Sequence, residues 1–549
     1  MPRKAAAKKT AKKNPKQTAK QVRIEHATMK HATRDIAYIL AERQREISVS
    51  EFFTKNRHLL GFDNPRKALL TCVKEGVDNS LDACEEAGIL PEITIKIEPT
   101  SHEDRFKVTI EDNGPGIIRA QVPKIFAKLL YGSKFHRLKM SRGQQGIGIS
   151  AAAMYGQLTT GRPVCITSRI SPRKPAHYYE LSIHTQKNEP VIGKEKEVEW
   201  DRPHGTQVVI ELESRYQKGR QSVDEYMEQT AVANPHVTIR YINPEKKELL
   251  LPRATKELPR EAKEIKPHPY GIELGTLIHM LHDTGARTLS SFLSTEFSRV
   301  SVRLAREICD KAGLNLNARP RRIARAEADK LLKAVRETKI MAPPGDCVVP
   351  IGEELILKGL RRQFKADFYA TTSRSPSVYR GNPFIVEAGL AYGGELSADG
   401  FARMLRFANR VPLLHQKSAC AVTESVMDTS WRSYGLQQAT GALPTGPLVL
   451  MVHVASVWVP FTSESKEAVA HYPEIEKEIK LAVQECGRKL SSFLSKRRRL
   501  EDAEKKKSYI KEYIPHIGIA LKDILELNDR QEKKIVTTLT EVLEKSRKQ

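Results

Sequence analysis

This sequence predicts an α/β (α+β) multidomain protein, on three observations. A capped amphipathic helix near residues 64–91 leads into two alternating, strand-like runs. A proline-rich linker precedes a stretch that reads as helical throughout. Strands and helices then alternate before one long apolar stripe at helical spacing. With 549 residues the chain can hold several domains of ordinary size, each burying its own core.

The first helix begins at Asn64, a capping residue, with Pro65 in the first helical position; Gly88 and Pro91 supply the stop. Leu70, Val73, Val77, Leu81 and Cys84 recur every three or four residues and form one stripe that can bury against a sheet. Glu75 and Asn79 lie off that stripe, one turn apart, and Asp82 and Glu86 continue the polar row. On an isolated helix such a row is ordinarily a solvated face. Here it is followed by alternation over 93–97, a second strand over 106–111 that ends in DNGPGI at 112–117, GQQGIGIS at 143–150 and HGT at 204–206.

Taken together, EGVDNSLDA, DNGPGI, GQQGIGIS and HGT resemble the ATP-binding motifs of the gyrase, heat-shock chaperone, histidine kinase and MutL (GHKL) superfamily. From about residue 47 onward the chain resembles the B-subunit family of type IIB topoisomerases, the topoisomerase VI group. The resemblance implies a GHKL (Bergerat) ATP-binding α/β sandwich, a helix-two-turns-helix insertion and a ribosomal-protein-like α/β transducer with a long C-terminal helix. It also implies ATP and Mg2+ as ligands.

Hydrolysis needs a base beside the attacking water, and a carboxylate held near the γ-phosphate contributes about 10²- to 10⁴-fold in rate. Glu75 is the candidate. Asn79 offers a neutral oxygen to Mg2+, which prefers hard oxygen ligands and keeps several waters. The superfamily uses the matching Glu and Asn in these two roles. Asp112, at a strand end, can accept from the adenine amino group, and Gly114 and Gly116 permit the turn beside the base. The glycines of the third motif run G-x-x-G-x-G, unlike a dinucleotide fingerprint. Gly143, Gly146 and Gly148 read as a phosphate-facing lid end. The amides of Gln145, Gly146, Ile147 and Gly148 aim at the polyphosphate, and the helix that follows adds its dipole. Thr206 completes the adenine end with its hydroxyl.

A formal net charge of +25 points to a polyanionic partner, although charge alone does not choose among DNA, RNA and an anionic membrane. Residues 1–24 carry nine Lys/Arg and no acid, which fits either a disordered DNA-affinity arm or a solubility tail. The seven cysteines show no metal-ligand spacing and suit a reducing cytosol. No apolar run reaches eighteen residues, so no membrane span is expected, and no signal peptide opens the chain.

Residues 25–60 form an N-terminal strap, which in the resembled family crosses to the second copy when two ATP-bound domains dimerise. The ATP-binding domain covers 61–250. Within it, Lys218 and Arg220 lie in a basic loop that the family uses on DNA, although Gln221 departs from its arginine-rich pattern. The insertion covers 251–342, with Arg321 and Arg322 as further DNA candidates. The transducer covers 343–505, with strands expected at 354–357, 384–391 and 448–460 and helices near 402–410 and 423–432. Lys466 follows the last strand and resembles the family's switch lysine, which reports the γ-phosphate. The helix after it has a stripe at Ile475, Ile479, Ala482, Cys486, Leu490 and Phe493. Residues 506–549 form a tail that, in the family, docks the DNA-cleaving A-subunit.

The implied assembly is an A2B2 heterotetramer acting on double-stranded DNA, cytoplasmic and nucleoid-associated, or nuclear in a eukaryote. A chaperone or MutL-like ATPase shares the nucleotide motifs but not the helical insertion. A non-hydrolysing scaffold would not need intact Glu75 and Asn79.

Overall fold

The computed structural model describes residues 37–545 except 39, 135, 136, 144, 145 and 464, so the basic arm of residues 1–24 and Gln145 lie outside the described residues. A short helix, α1 (Val49–Lys55), is capped by Ser48, whose hydroxyl accepts from the Glu51 amide. Helix α2 (Pro65–Glu86) starts where Asn64 Oδ1 accepts from the Lys67 amide.

Strands β1 (Glu92–Pro99) and β2 (Arg105–Asp112) form a hairpin. Helices α3 (Val122–Ala127) and α4 (Gly148–Thr160) follow, then β3 (Val164–Arg169), β4 (Ala176–His184), β5 (Glu189–Val198) and β6 (Gly205–Glu213). Helix α5 (Val223–Ala233) leads to β7 (Thr238–Ile242) and β8 (Glu248–Leu251). The eight strands form one sheet in the order β5-β4-β3-β6-β2-β1-β7-β8, with β1 and β7 parallel. Only alternate residues of β1 and β2 are buried, because one face of this sheet is covered. Val73, Val77 and Leu81 of α2 share that core with Ile95, Ile110, Ile210 and the alanines of α4. The helix stripe therefore turns Asn79 away from the sheet, where it is exposed.

The segment after β8 carries α6 (Leu274–Asp283), α7 (Leu289–Glu296), α8 (Val302–Ala312) and α9 (Arg325–Glu337) around a core of their own, with Leu281, Phe292, Ile308 and Leu331 at its centre. Arg321 and Arg322 lie exposed on the short turn before α9.

Next come α10 (Glu353–Gln363), β9 (Phe368–Ser373), β10 (Ser377–Tyr379), β11 (Asn382–Tyr392), β12 (Arg403–Ala408), β13 (Val411–Pro412) and α11 (Ala421–Met427). After the small ribbon β14 (Gln437–Gln438) and β15 (Pro444–Thr445), the long strand β16 (Leu448–Ser456) sits centrally in a six-stranded sheet. β11 and β16 are buried along almost their whole length because both sheet faces are covered. Ile356 and Leu360 of α10, with Val232 of α5, cover one face; the stripe Ile475, Ile479, Ala482, Cys486 and Leu490 of α12 (Pro473–Leu525) covers the other.

At Gly359 the backbone of α10 comes so close to α5 that a Cβ would lie 2.5 Å from the Val232 oxygen. The two sheets are joined through this helix contact. A last helix, α13 (Asp529–Lys545), folds back on α12, with Val536 against Gly518.

Two sequence readings are corrected. Residues 354–357 belong to helix α10, not a strand: the three apolar residues after Glu354 are too few to show a period, and burial of Ile356, Gly359 and Leu360 follows helical spacing. Residues 402–410 are strand β12 and the turn into β13, not a helix. Their apolar positions are buried on both faces by the two helix layers, which erases the alternation a strand otherwise shows. All seven cysteines are free. Among the described residues no helix is long and apolar enough to cross a membrane.

Candidate ATP site

A cavity of about 620 Å³ opens between α2, the end of β2, the loop before α4 and the start of β6, lined by Asn79, Asp112, Gly116, Gly143, Gly146, Gly148 and Thr206. Seven of the sequence candidates thus meet in one space, brought there by separate elements of the domain. Gly114 stands just behind the wall, its amide donating to Asp112 Oδ1 at 2.9 Å.

Asp112 is held at the end of β2 by three donors. Oδ1 accepts from the amides of Gly114 and, at 3.2 Å, Thr206, while Oδ2 accepts from the Ser80 hydroxyl at 2.8 Å. Burial pushes this carboxyl up, against the pull of those three donors. The Thr206 hydroxyl lies 3.2 Å from Ser168 Oγ, which also accepts from the Ile117 amide. Such a wall, with an oriented carboxylate and two hydroxyls beside the apolar Ile110 and Val208, suits a purine with an exocyclic amine.

Glu75 does not line this cavity. Its carboxylate sits behind the first turn of α4, so that a Cβ on Gly148 would fall 1.8 Å from Oε2. A side chain at position 148 would push the Glu75 carboxylate aside. Glu75 lines an adjoining cleft with Lys74, Ile147, Gly148, Tyr226, His415 and Lys466, and Gly148 borders both spaces. Ile147 is buried and faces this second cleft.

Lys466 reaches the cleft from the loop after β16, with its backbone in the left-handed region at φ 53°. That conformation is costly for a long side chain, by about 1–3 kcal/mol, and persists where the surroundings dictate it. Its Nζ donates to the Arg142 oxygen at 3.3 Å, one residue before Gly143. Burial pushes the ammonium pKa down; Glu75 opposes this and Lys74 adds to it. The next residue anchors the loop: Glu467 pairs with Lys67 of α2 at 2.7 Å.

The polar row on α2 is only partly solvated: Asn79 and Glu86 are exposed, but Asp82 is not. Asp82 is buried between Lys134 and Arg142, at 2.6 and 2.7 Å, and those cations outweigh burial and hold its carboxyl below the usual range. Glu86 lines the cavity. Asp78 is buried beneath Tyr226, whose hydroxyl donates to it at 2.9 Å, and burial pushes its pKa up to about 7.

Ser80, Lys134, Arg142 and Tyr226 escape sequence reasoning. Ser80 sits inside the first motif and could have been found there; the other three arrive from loops or a distant helix and leave no periodic signal. Lys218 pairs with Glu245 at 2.6 Å on the surface, and Arg220 is exposed. Neither these two nor Arg321 and Arg322 line the cavity.

Residues 64–215 match the family of histidine kinase-, DNA gyrase B-, and HSP90-like ATPases, and residues 343–506 match the topoisomerase VI B-subunit transducer family. The type 2 DNA topoisomerase 6 B-subunit of Methanococcoides burtonii is 53% identical over 492 residues, covering 89% of this chain and 79% of that protein. The protein of the same name from Methanosarcina mazei is 52% identical over the same shares of each chain. That from Archaeoglobus fulgidus is 47% identical, covering 91% of this chain and 83% of that one. With such identity spread over both the nucleotide domain and the transducer, this chain belongs to the B-subunit family of type 2 DNA topoisomerase 6.

Proposed function

We propose that this chain binds and hydrolyses ATP as the B-subunit of a type IIB topoisomerase, working with a DNA-cleaving A-subunit in an A2B2 heterotetramer. ATP occupies the cavity with its adenine amine on Asp112 and its phosphates against Gly143, Gly146 and Gly148, where the N-terminus of α4 favours negative charge. Asn79, exposed on the cavity side of α2, supplies a neutral oxygen to a Mg2+ ion whose charge offsets that of the triphosphate. Glu75 takes a proton from the attacking water as the bond to the γ-phosphate forms and ADP leaves, and Lys466 meets the charge on the transferred group.

The observation that carries this reading is the shared cleft of Glu75 and Lys466, which touches the nucleotide cavity at Gly148. A base from one domain and a cation from the next meet at the γ-phosphate end. ATP then draws two copies together around one DNA duplex, the N-terminal strap crossing between them. The transducer relays closure to the cleaving partner, and hydrolysis resets the gate. Surface cations, Lys218, Arg220, Arg321 and Arg322 among them, contact duplex DNA, which places the work at the nucleoid or in a nucleus.

The test is to copurify the chain with its DNA-cleaving partner and incubate the complex with supercoiled plasmid. Relaxation that requires ATP and Mg2+ and disappears with Glu75→Ala supports the assignment. Relaxation without ATP, or none with ATP bound, overturns it.

A further inference from the structure

The loop that carries Gly143 is held from the transducer side at several points besides Lys466. The Met140 amide donates to the Cys347 oxygen at 2.9 Å, and Asn409 Nδ2 donates to the Ser141 oxygen at 3.0 Å. Arg142 is buried and forks between Asp82 and Glu85 of α2, and its Nη2 also donates to Asn234 Oδ1 at 2.6 Å. From there the bonds continue without a break. Asn234 Nδ2 donates to the Arg410 oxygen at 3.3 Å, and the Arg410 amide donates to His453 Nε2 at 2.9 Å. His453 Nδ1 donates to Glu387 Oε2 at 2.8 Å, and Glu387 accepts from the amides of Ile351 and Gly352, both at 2.7 Å, where α10 begins.

The direction of each bond is fixed. An amide proton aimed at Nε2 requires a bare nitrogen there, so His453 is neutral with its proton on Nδ1, and Glu387 is the charged partner. Asn409 and Arg410 adopt the left-handed conformation in succession, at φ 47° and 67°, where glycines would be unstrained. Both side chains are used: Asn409 Oδ1 accepts from the Ser456 amide, and Arg410 donates to the Pro350 oxygen. Asn234, His453 and Glu387 are fully buried. A buried polar chain across a domain boundary is made or broken as a unit, because a half-satisfied one leaves costly unpaired groups.

We infer that Asn234 and His453 are positioning residues in a strut from the nucleotide lid to the transducer sheet, which sets the lid for turnover by a route other than the Lys466 side chain. The inference rests on the ATPase reading above. Its test uses the full-length chain and compares the parent with Asn234→Ala, His453→Ala, the double variant and His453→Gln, which can still donate to Glu387 and accept from Arg410.

Nucleotide affinity, KM and kcat for ATP, and the rate of dimerisation with a non-hydrolysable ATP analogue are measured. Each alanine variant is expected to bind nucleotide within about twofold of the parent yet to turn over and dimerise at least about fivefold more slowly. The double variant should be no slower than the worse single one, and His453→Gln should recover most of the loss. Where an alanine variant does not fold, Asn234→Asp takes its place: it keeps the acceptor for Arg142 and removes the donor to Arg410. Unchanged kcat in either single variant, additive losses in the double, or no rescue by glutamine overturns the strut. A parent chain that does not hydrolyse ATP would instead overturn the ATPase reading, so the two failures are distinguishable.

Discussion

Lys466 and Arg142 meet on a backbone carbonyl: the lysine Nζ lies 3.3 Å from the Arg142 oxygen, although 324 residues separate them in sequence. On the proposed reading this cation, held one residue from Gly143 on a strained loop of another domain, senses whether a γ-phosphate is present. Lys466→Ala should lower kcat by about 10²- to 10³-fold, the usual loss for one charge-stabilising donor, while ATP still binds. Full DNA-stimulated turnover with normal plasmid relaxation by the complex would refute the role.

Glu75 lies behind Gly148, against the first turn of α4 and outside the cavity lined by Asp112 and Thr206. Glu75→Ala should therefore leave ATP binding and dimerisation intact while hydrolysis falls by about 10²- to 10⁴-fold. If nucleotide binding is lost instead, the base has been misassigned. Single-turnover hydrolysis alongside analogue-driven dimerisation separates the two results.

Three protein donors already orient Asp112, so its role toward a base depends on remaining acceptor capacity. Asp112→Asn turns an amide donor toward either Ser80 or the ligand and leaves one of them poorly matched. ATP affinity should drop by about 1–3 kcal/mol, roughly 5- to 150-fold. Calorimetric titration showing unchanged affinity would remove Asp112 from the adenine pocket.

Asp78 makes a pH-dependent contribution of definite sign. In the unfolded chain it ionises near ~3.9. In the folded chain burial moves it up to about 7, so between those values the native state holds the extra proton. Stability from this group is complete at acid pH and falls as pH rises through 7, by up to about 4 kcal/mol. Asp78→Asn still accepts from Tyr226 and carries no charge. It should melt higher than the parent at pH 8, with the gain shrinking as pH is lowered toward 5; a pH-independent difference would contradict the assignment.

Lys67 and Glu467 tie the Lys466 loop to the first turn of α2, with side chains 14% and 8% exposed. Removing Lys67 leaves the buried Glu467 carboxylate unpaired, at an expected cost of about 1–3 kcal/mol in stability, whereas removing Glu467 leaves Lys67 paired with Asp63 at 3.0 Å and costs less. A cycle of Lys67→Met, Glu467→Gln and the double variant should show coupling of the same order, and additive losses would mean that the pair does not act as one.

How much of this was legible in the sequence varies with the range of the interactions involved. The capped helix at Asn64 and the separation of Glu75 and Asn79 from its apolar stripe follow from a local period, as does Asp112 at a strand end. Periodicity misleads where both faces of an element are covered, as in β12, and where a run is too short to show any, as at the start of α10. It says nothing of Lys134, Arg142 and Tyr226, whose places depend on where remote segments cross the helix. For the same reason Asp82 reads as part of a solvent-facing row yet is enclosed by two cations that approach from the lid.

Helix α12 runs 53 residues, and its apolar stripe against the transducer sheet ends near Leu494. At ~1.5 Å per residue the whole is roughly 80 Å long, and more than half projects beyond that anchorage, stiffened by α13 folded back along it. Geometry does the rest: a tilt of about 5° at the base sweeps the far end through roughly 4 Å. Tyr509, Ile510, Tyr513, Ile517 and Ile524 stand exposed on that far portion. A sub-ångström rearrangement beside a phosphate can thus emerge, at the tip of a cantilever, as a displacement large enough to shift whatever is fastened to those side chains.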